Sequence, residues 1–449
     1  MPSAAMRADL TGAQAHCLES GQMFVRKRSA TARWCGRFGL LAVIVLAAGC
    51  ASVPERHPLP EAPKEMPQIQ GIPDARIWGD EQAAHTKEVL KASPEELRAS
   101  NPGIANHPHN YLAISGGGAN GAFGAGLLNG WTASGTRPQF DIVTGISTGA
   151  LSAPFAYLGP EYDALLKEIY TTYTTKDLIR KRGTIEILTG DSAADTAPLK
   201  KMLDKYITEE VMRAIAAESK KGRRLFIGTT NLDASRAVLW NIGAIAASGD
   251  PSALEVIRKV MLASASIPGA FPPVYFQVEY NGQTYDEMHV DGGTAQQVFV
   301  YPAAIDWTQV MDKLGAPPGT SSVYVIRNAF IHPKWEPVKP SVFSIAGRSV
   351  SSLIRTQGLG DLNRIYLLSE RDHIHFNLAE IPPSFDKKEK EAFDKEYMRA
   401  LYDLGFDMAK NGYPWQNKPP YYKAPGESDE NSATESKAKE SAPQSKAKE

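Results

Sequence analysis

A chain of 449 residues, 43% hydrophobic and 22% charged, is long enough for one large folded domain with extensions at its ends. Its formal net charge of -1 provides no basic field to draw in nucleic acid, and no Cys/His spacing of the zinc-binding kind occurs. The three cysteines, Cys17, Cys35 and Cys50, all precede residue 51, so the body of the chain can hold no internal disulfide.

Near the start, Arg26, Lys27, Arg28, Arg33 and Arg37 lead into the apolar run Phe38 to Ala48. That run is too short to cross a bilayer comfortably. A basic stretch, a short apolar core and the small residues Ala47-Ala48-Gly49 predict a secretory signal over residues 1–49, with Met23 as an alternative start. Because it ends on Cys50, the segment resembles a bacterial lipoprotein signal, although Ala47 stands where Leu is more usual. The resemblance implies that Cys50 becomes the first mature residue and carries the lipid. An ordinary signal or an uncleaved anchor helix is the competing reading. Ala51 and Ser52 lack the Asp that resembles an inner-membrane retention signal, so the expected location is the cell envelope, lipid-anchored, on the outer membrane facing the periplasm. Six prolines between Pro54 and Pro73 predict that residues 50–77 form an extended tether between membrane and domain.

Residues 78–106 read as a helical lead-in, with Ser93-Pro94-Glu95-Glu96 marking a helix start. From Tyr111-Leu112-Ala113-Ile114 onward, strand-like and helix-like stretches alternate, which argues for an α/β domain over residues 107–413. Further strands are predicted at 141–144, 224–229, 237–241, 274–278, 289–290, 323–327 and 373–377. A late helix is predicted over 389–409, where Phe393, Tyr397, Leu401, Leu404 and Met408 recur at helical spacing and should face the core. Beyond Pro414 the composition turns to Lys, Glu, Ser, Ala and Pro, and SKAKE occurs twice. Such a segment has too little apolar surface to offset the entropy of ordering it, so residues 414–449 are expected to be disordered.

Three glycine-containing motifs carry the chemistry. In Ser115-Gly116-Gly117-Gly118-Ala119-Asn120-Gly121, placed between a strand and a helix, bare backbone amides at a helix N-terminus suit an anion or a developing oxyanion. In Gly145-Ile146-Ser147-Thr148-Gly149, again between strand and helix, flanking glycines permit the sharp turn that projects a serine hydroxyl. Val290-Asp291-Gly292-Gly293 puts a carboxylate at a strand end. Each pattern is cheap alone. Their order, each at a strand end, is not.

From Tyr111 to Gly293, and more weakly to Gly412, the chain resembles the patatin-like phospholipase family. Thr229-Thr230-Asn231-Leu232-Asp233 and Ala263-Ser264-Ala265-Ser266-Ile267-Pro268, with Phe271 and Pro272, extend the match. The resemblance implies a three-layer α/β/α sandwich with a mostly parallel central sheet. It also implies Ser147 as nucleophile, Asp291 as the sole general base, and the amides of Gly117 and Gly118, with neighbouring Gly116, as oxyanion donors. The expected activity is hydrolysis of lipid fatty-acyl esters, phospholipase A among them, without metal or organic cofactor. The expected partners are an acyl-ester lipid and, through Cys50, a membrane. Asn120 stands where the family usually has Arg or Lys; the lost cation makes a neutral ester substrate more plausible.

Competing readings rest on the same residues. Gly116 to Gly121 fits the dinucleotide pattern Gly-x-Gly-x-x-Gly, but the next strand ends in Gly145-Ile146-Ser147 and not in an acid. A Ser-His-Asp triad would draw on His289, His332, His373 or His375; His289, two residues before Asp291, shares its strand face. Ser115 and Ser152 read as structural, and Asn231 and Asp233 as turn formers. Ala263 to Pro273 is a buried loop or a wall of the acyl pocket. Phe343, Ile345 and Ile354 could form a lipid-facing patch, but core packing is the expectation for an apolar helix. The same fold could also serve as a catalytically silent lipid-binding or scaffold lipoprotein.

Overall fold

A computed structural model describes residues 56–81, 90–183, 186–187, 190–333 and 335–423. The predicted signal, Cys50 and the tail beyond 423 lie outside them. Among the described residues the strands are β1 (Arg76–Trp78), β2 (Asn110–Ile114), β3 (Ile142–Ile146), β4 (Arg180–Lys181), β5 (Ala194–Asp195), β6 (Arg224–Asn231), β7 (Arg236–Asn241), β8 (Val274–Tyr280), β9 (Gln283–Asp291), β10 (Ser322–Arg327) and β11 (His375–Glu380). β4 and β5 form a separate ribbon; the other nine make one sheet.

The sheet runs β1-β7-β6-β3-β2-β10-β11, and β6, β3, β2, β10 and β11 are mutually parallel. Alternation along these strands feeds two cores. Leu112, Ile114, Val143 and Ile326 point into one; Tyr111, Ala113, Val323 and Val325 point into the other. Both faces are apolar because helices cover both, as parallel strands require. Helices Gly121–Ala133 and Lys395–Lys410 pack on the first face, and the second half of helix Val342–Arg371 packs on the other. This is the three-layer α/β/α sandwich, with an antiparallel edge made by β1, β7, β8 and β9.

One pairing detail positions the site. β6 pairs along one edge with β3 up to Gly228↔Ile146, and from the next residue with β9, starting at Thr229↔Asp291. Its other edge is taken by β7 over Phe226 to Asn231. β9 therefore continues where β3 stops, at the point where the chain turns into Ser147.

Three boundaries differ from expectation. Residues 56–78 do not hang free as a tether. Gln68 and Glu279 exchange backbone hydrogen bonds of 3.2 and 2.9 Å, and β1 pairs with β7. Below them lies a buried charge cluster, in which the Arg76 guanidinium donates to both Glu287 carboxylate oxygens at 2.5 and 3.1 Å. The late helix begins at Lys395 and not near 389, because Asp394 caps it by accepting from the Glu396 and Tyr397 amides. Its buried face includes Tyr397, Met398, Leu401, Tyr402 and Gly405, whereas Leu404 and Met408 are half-buried. Gly126, Gly130 and Gly405 make that contact close, since a Cβ on any of them would overlap backbone of the facing helix. Finally, the body extends past 413. Trp415 packs on Trp131 and Tyr324 at centroid distances of 4.8 and 5.2 Å, and Gln416 exchanges backbone hydrogen bonds with Leu378. Those aromatic contacts outweigh the polar composition that begins there.

Candidate active site

Ser147 follows β3 directly and starts helix Thr148–Leu158. Its backbone, at φ 56° and ψ -123°, lies in a region that side-chain-bearing residues rarely adopt. The two flanking glycines permit this turn by close approach. A Cβ on Gly145 would strike the Gly149 carbonyl, and one on Gly149 would strike the Ile114 carbonyl. The Ser147 amide donates to Ser264 Oγ at 2.9 Å, and that hydroxyl donates to the Gly228 carbonyl at 2.7 Å. A buried serine thus ties the strained turn to β6.

Asp291 is buried, and its carboxylate accepts a hydrogen bond from the Gly293 amide at 2.7 Å. Burial pushes the acid up to about 6, while the nearby Ser147 hydroxyl and the Gly293 amide pull in the other direction. The Asp291 amide donates to the Ser266 carbonyl at 2.8 Å, and its own carbonyl accepts from Thr230 Oγ1 at 3.1 Å. Within the 263–273 stretch, residues 263–266 are therefore a buried brace behind both residues, whereas Ile267, Pro268 and Gly269 are exposed. Gly292 must lack a side chain, because a Cβ there would overlap the Gly228 carbonyl.

The glycine loop stands against this pair. A Cβ on Gly116 would sit 3.1 Å from the Ser147 Cβ, so the loop and the serine are in contact. Gly117 and Gly118 have φ of 159° and 57°, and neither amide donates to a protein acceptor among the described residues. Gly116 differs from expectation. Its amide donates to the Gln297 carbonyl at 3.2 Å, so its contribution is close approach and not a hydrogen bond to an oxyanion.

Two supporting residues, Asn328 and Gln297, were invisible in the motifs, and a third, Ser264, stood inside one without a stated role. Asn328, fully buried at the end of β10, receives the Gly124 amide at 3.0 Å, donates to the Ser115 carbonyl at 3.1 Å, and donates its amide to Ser115 Oγ at 2.8 Å. Its backbone carbonyl occupies the space a Gly117 side chain would need. Gln297 donates to the Gly293 carbonyl at 2.6 Å and to Gln357 Oε1 at 3.0 Å. Ser264 completes the set. No local pattern signals such residues, since they come from strands and helices far apart in the chain.

Among the described residues, no histidine takes part in this geometry. His289 is fully buried, with Nδ1 2.9 Å from Thr229 Oγ1 and Nε2 3.1 Å from Glu287 Oε2. Since Trp240 Nε1 donates to Thr229 Oγ1 at 2.8 Å, the threonine hydroxyl donates onward to Nδ1 and the imidazole proton sits on Nε2. Burial holds the ring below its usual pKa, hence neutral. His332 binds the Tyr421 hydroxyl, and His375 begins β11, at the opposite end of the parallel strands from Ser147. Ser115 and Ser152 are structural: the first bonds within the glycine loop, the second to Tyr170. Asn231 closes a turn by accepting from the Ala234 amide, and Asp233 receives the Met288 amide at 3.1 Å. Asn120 accepts from the Tyr397 hydroxyl at 2.7 Å.

A serine on a strained turn beside a buried carboxylate, in contact with a glycine loop that carries two unpaired amides, is an arrangement for acyl transfer. Residues 112–304 match the family described as patatin-like phospholipase. No curated protein is detectably similar to the chain in sequence. Among solved structures, that of VipD from Legionella pneumophila is similar at 11% identity and a TM-score of 0.33, covering 68% of this chain and 66% of that one. The similarity thus spans just under two thirds of the length of VipD. The chain therefore carries a match to the patatin-like phospholipase domain over residues 112–304, which supports a lipid ester hydrolase.

Proposed function

We propose that the protein cleaves fatty-acyl esters of lipids through a Ser147–Asp291 dyad. The observation that carries this reading is the nearness of the Ser147 turn to buried Asp291, both anchored on consecutive residues of β6, with the carboxyl raised to about 6 by burial. A carboxylate at its ordinary pKa is a poor base for an alcohol. Raising it brings its basicity closer to that of imidazole while it stays ionised at neutral pH.

In this mechanism Asp291 takes the Ser147 proton as Oγ attacks the ester carbonyl. The amides of Gly117 and Gly118 and the positive end of helix Thr148–Leu158 stabilise the oxyanion. As the tetrahedral intermediate collapses, the carbon–oxygen bond to the leaving alcohol breaks and Asp291 returns the proton to that alcohol. Water, deprotonated by the same carboxylate, then attacks the acyl-serine, and the fatty acid leaves as Oγ is reprotonated. With Asn120 held by Tyr397, the loop offers no cation to a head group, which favours esters with neutral surroundings.

Attachment to the cell envelope through lipidated Cys50 is proposed on the sequence alone. Cys50→Ser should abolish lipid incorporation; unchanged membrane fractionation and lipid labelling would end that reading.

The catalytic reading is tested by incubating the full chain and its Ser147→Ala variant with extracted lipids and profiling the products. Free fatty acids released by the wild type only, together with labelling of Ser147 by an active-site serine probe, are the expected result. Identical profiles and an unlabelled Ser147 would instead indicate a silent lipid-binding protein.

A further inference from the structure

We infer that the first half of helix Val342–Arg371, with the segment leading into it, is a docking surface for an anionic lipid bilayer. Of the twelve large hydrophobic side chains exposed among the described residues, seven lie between Trp335 and Ile354. Trp335 is 95% exposed, Val342 80% and Leu353 69%. Such concentration differs from the scattered apolar residues of an ordinary surface.

The direction of this face identifies its purpose. At 3.6 residues per turn, Val342, Ile345, Ala346, Val350 and Leu353 fall on one side of the helix, and Ile354 lies at its border, in line with Ile365. Leu362, Ile365 and Ser369, which bury the second half against the body, fall on the opposite side. In the first half that body-facing side carries Ser344, Arg348, Ser351 and Arg355. The apolar stripe is turned away from the protein's own core, so Ile345 and Ile354 are not the core residues that their composition predicts; the Phe343 side chain lies outside the described residues.

Charge points to lipid over another apolar surface. From Val338 to Gly360 the charged side chains are Lys339, Arg348 and Arg355, with no acid among them. Arg348 also lies 3.9 Å from Glu336, which precedes the stretch. An apolar face beside an exposed Trp, with cations and no acid on the polar side of the same helix half, suits an interfacial helix whose apolar side enters the acyl region. Among the described residues no helix is long and apolar enough to cross a membrane, so this one would lie on the surface.

The same helix is joined to the site. Gln357 Nε2 donates to the Ala295 carbonyl at 2.7 Å, and Asp361 accepts from the Gln297 amide at 2.6 Å, both on the chain that follows Asp291. Docking would therefore bring the rim of the site to the bilayer. The surface is independent of the dyad chemistry, though its use in delivering substrate rests on that reading.

The test uses the full chain with Cys17→Ser, Cys35→Ser and Cys50→Ser, so that no lipid on Cys50 supplies attachment. An environment-sensitive dye is placed on Leu353→Cys or, on the opposite side, on Ser351→Cys. Vesicles of phosphatidylethanolamine and phosphatidylglycerol should shift the first dye to the blue and allow its quenching by brominated acyl chains, and affect the second much less. Equal responses, or none, would overturn the inference. In the same background, Val350→Asp with Leu353→Asp should lower hydrolysis of vesicle lipid roughly tenfold or more and leave a water-soluble short-chain ester unaffected. Equal loss on both substrates, or light scattering that shows a dimer split by the variant, would make the face a structural or protein contact. A dye response in a chain that hydrolyses neither substrate would support the surface and remove the catalytic reading.

Discussion

Ile146 and Asp291 pair with consecutive residues of β6, Gly228 and Thr229, along the same edge. One strand thus sets the distance between the serine turn and the carboxylate, and sheet hydrogen bonds hold both. A geometry so anchored keeps alcohol and acid close with little freedom to drift apart.

Removing either partner should therefore stop the chemistry. Ser147→Ala and Asp291→Asn are each expected to lower kcat by roughly 10³-fold or more. His289→Gln should keep most of the activity in the fraction that folds, because both ring nitrogens are engaged away from Ser147. Steady-state kinetics on a soluble ester checks this; a His289 variant as inactive as Ser147→Ala would require a triad.

The pH profile follows from Asp291, which must be ionised to accept a proton. In the free enzyme kcat/KM should rise through a single ionisation near pH 6, the value to which burial pushes this acid, and then stay level. In Asp291→Glu, any residual activity should follow a displaced midpoint.

Stability should change with pH in the opposite sense. Asp291's folded pKa is above its unfolded value, so the folded state holds the proton more tightly between them, and the stability this contributes is lost as pH rises through about 6. The penalty at neutral pH is on the order of 3 kcal/mol. Asp291→Asn should melt higher than the wild type at neutral pH, and the difference should shrink as pH falls toward the ordinary carboxylate range. Thermal denaturation at several pH values measures it.

Asn328 touches no reacting atom and still positions the glycine loop through three hydrogen bonds. Asn328→Ala should lower kcat about 10- to 100-fold with little change in KM, because displaced oxyanion donors act in the transition state. A fall confined to KM would place its role in substrate binding.

The N-terminal segment is fastened by a buried ion pair. Burial alone would raise Glu287, but the Arg76 charge and hydrogen bonds from His289 and Arg76 outweigh it and bring the acid to about 2. Arg76→Met leaves this carboxylate buried without its partner and should cost about 3–5 kcal/mol in denaturant unfolding. Arg76→Met with Glu287→Met should recover much of that loss.

The sequence by itself determined the three motifs, their order at strand ends, and the assignment of the elements that carry them, because turn chemistry and alternation are local. Gly145, Gly149 and Gly292 were legible for that reason. Tertiary structure alone decided that Gly116 spends its amide on Gln297, that Asn328 and Ser264 brace the site, and that residues 56–78 are bound to the sheet. It also decided which way the helix at 342–371 turns its apolar stripe. Periodicity shows that a helix has an apolar side; whether that side meets a core or solvent depends on what the rest of the chain places beside it.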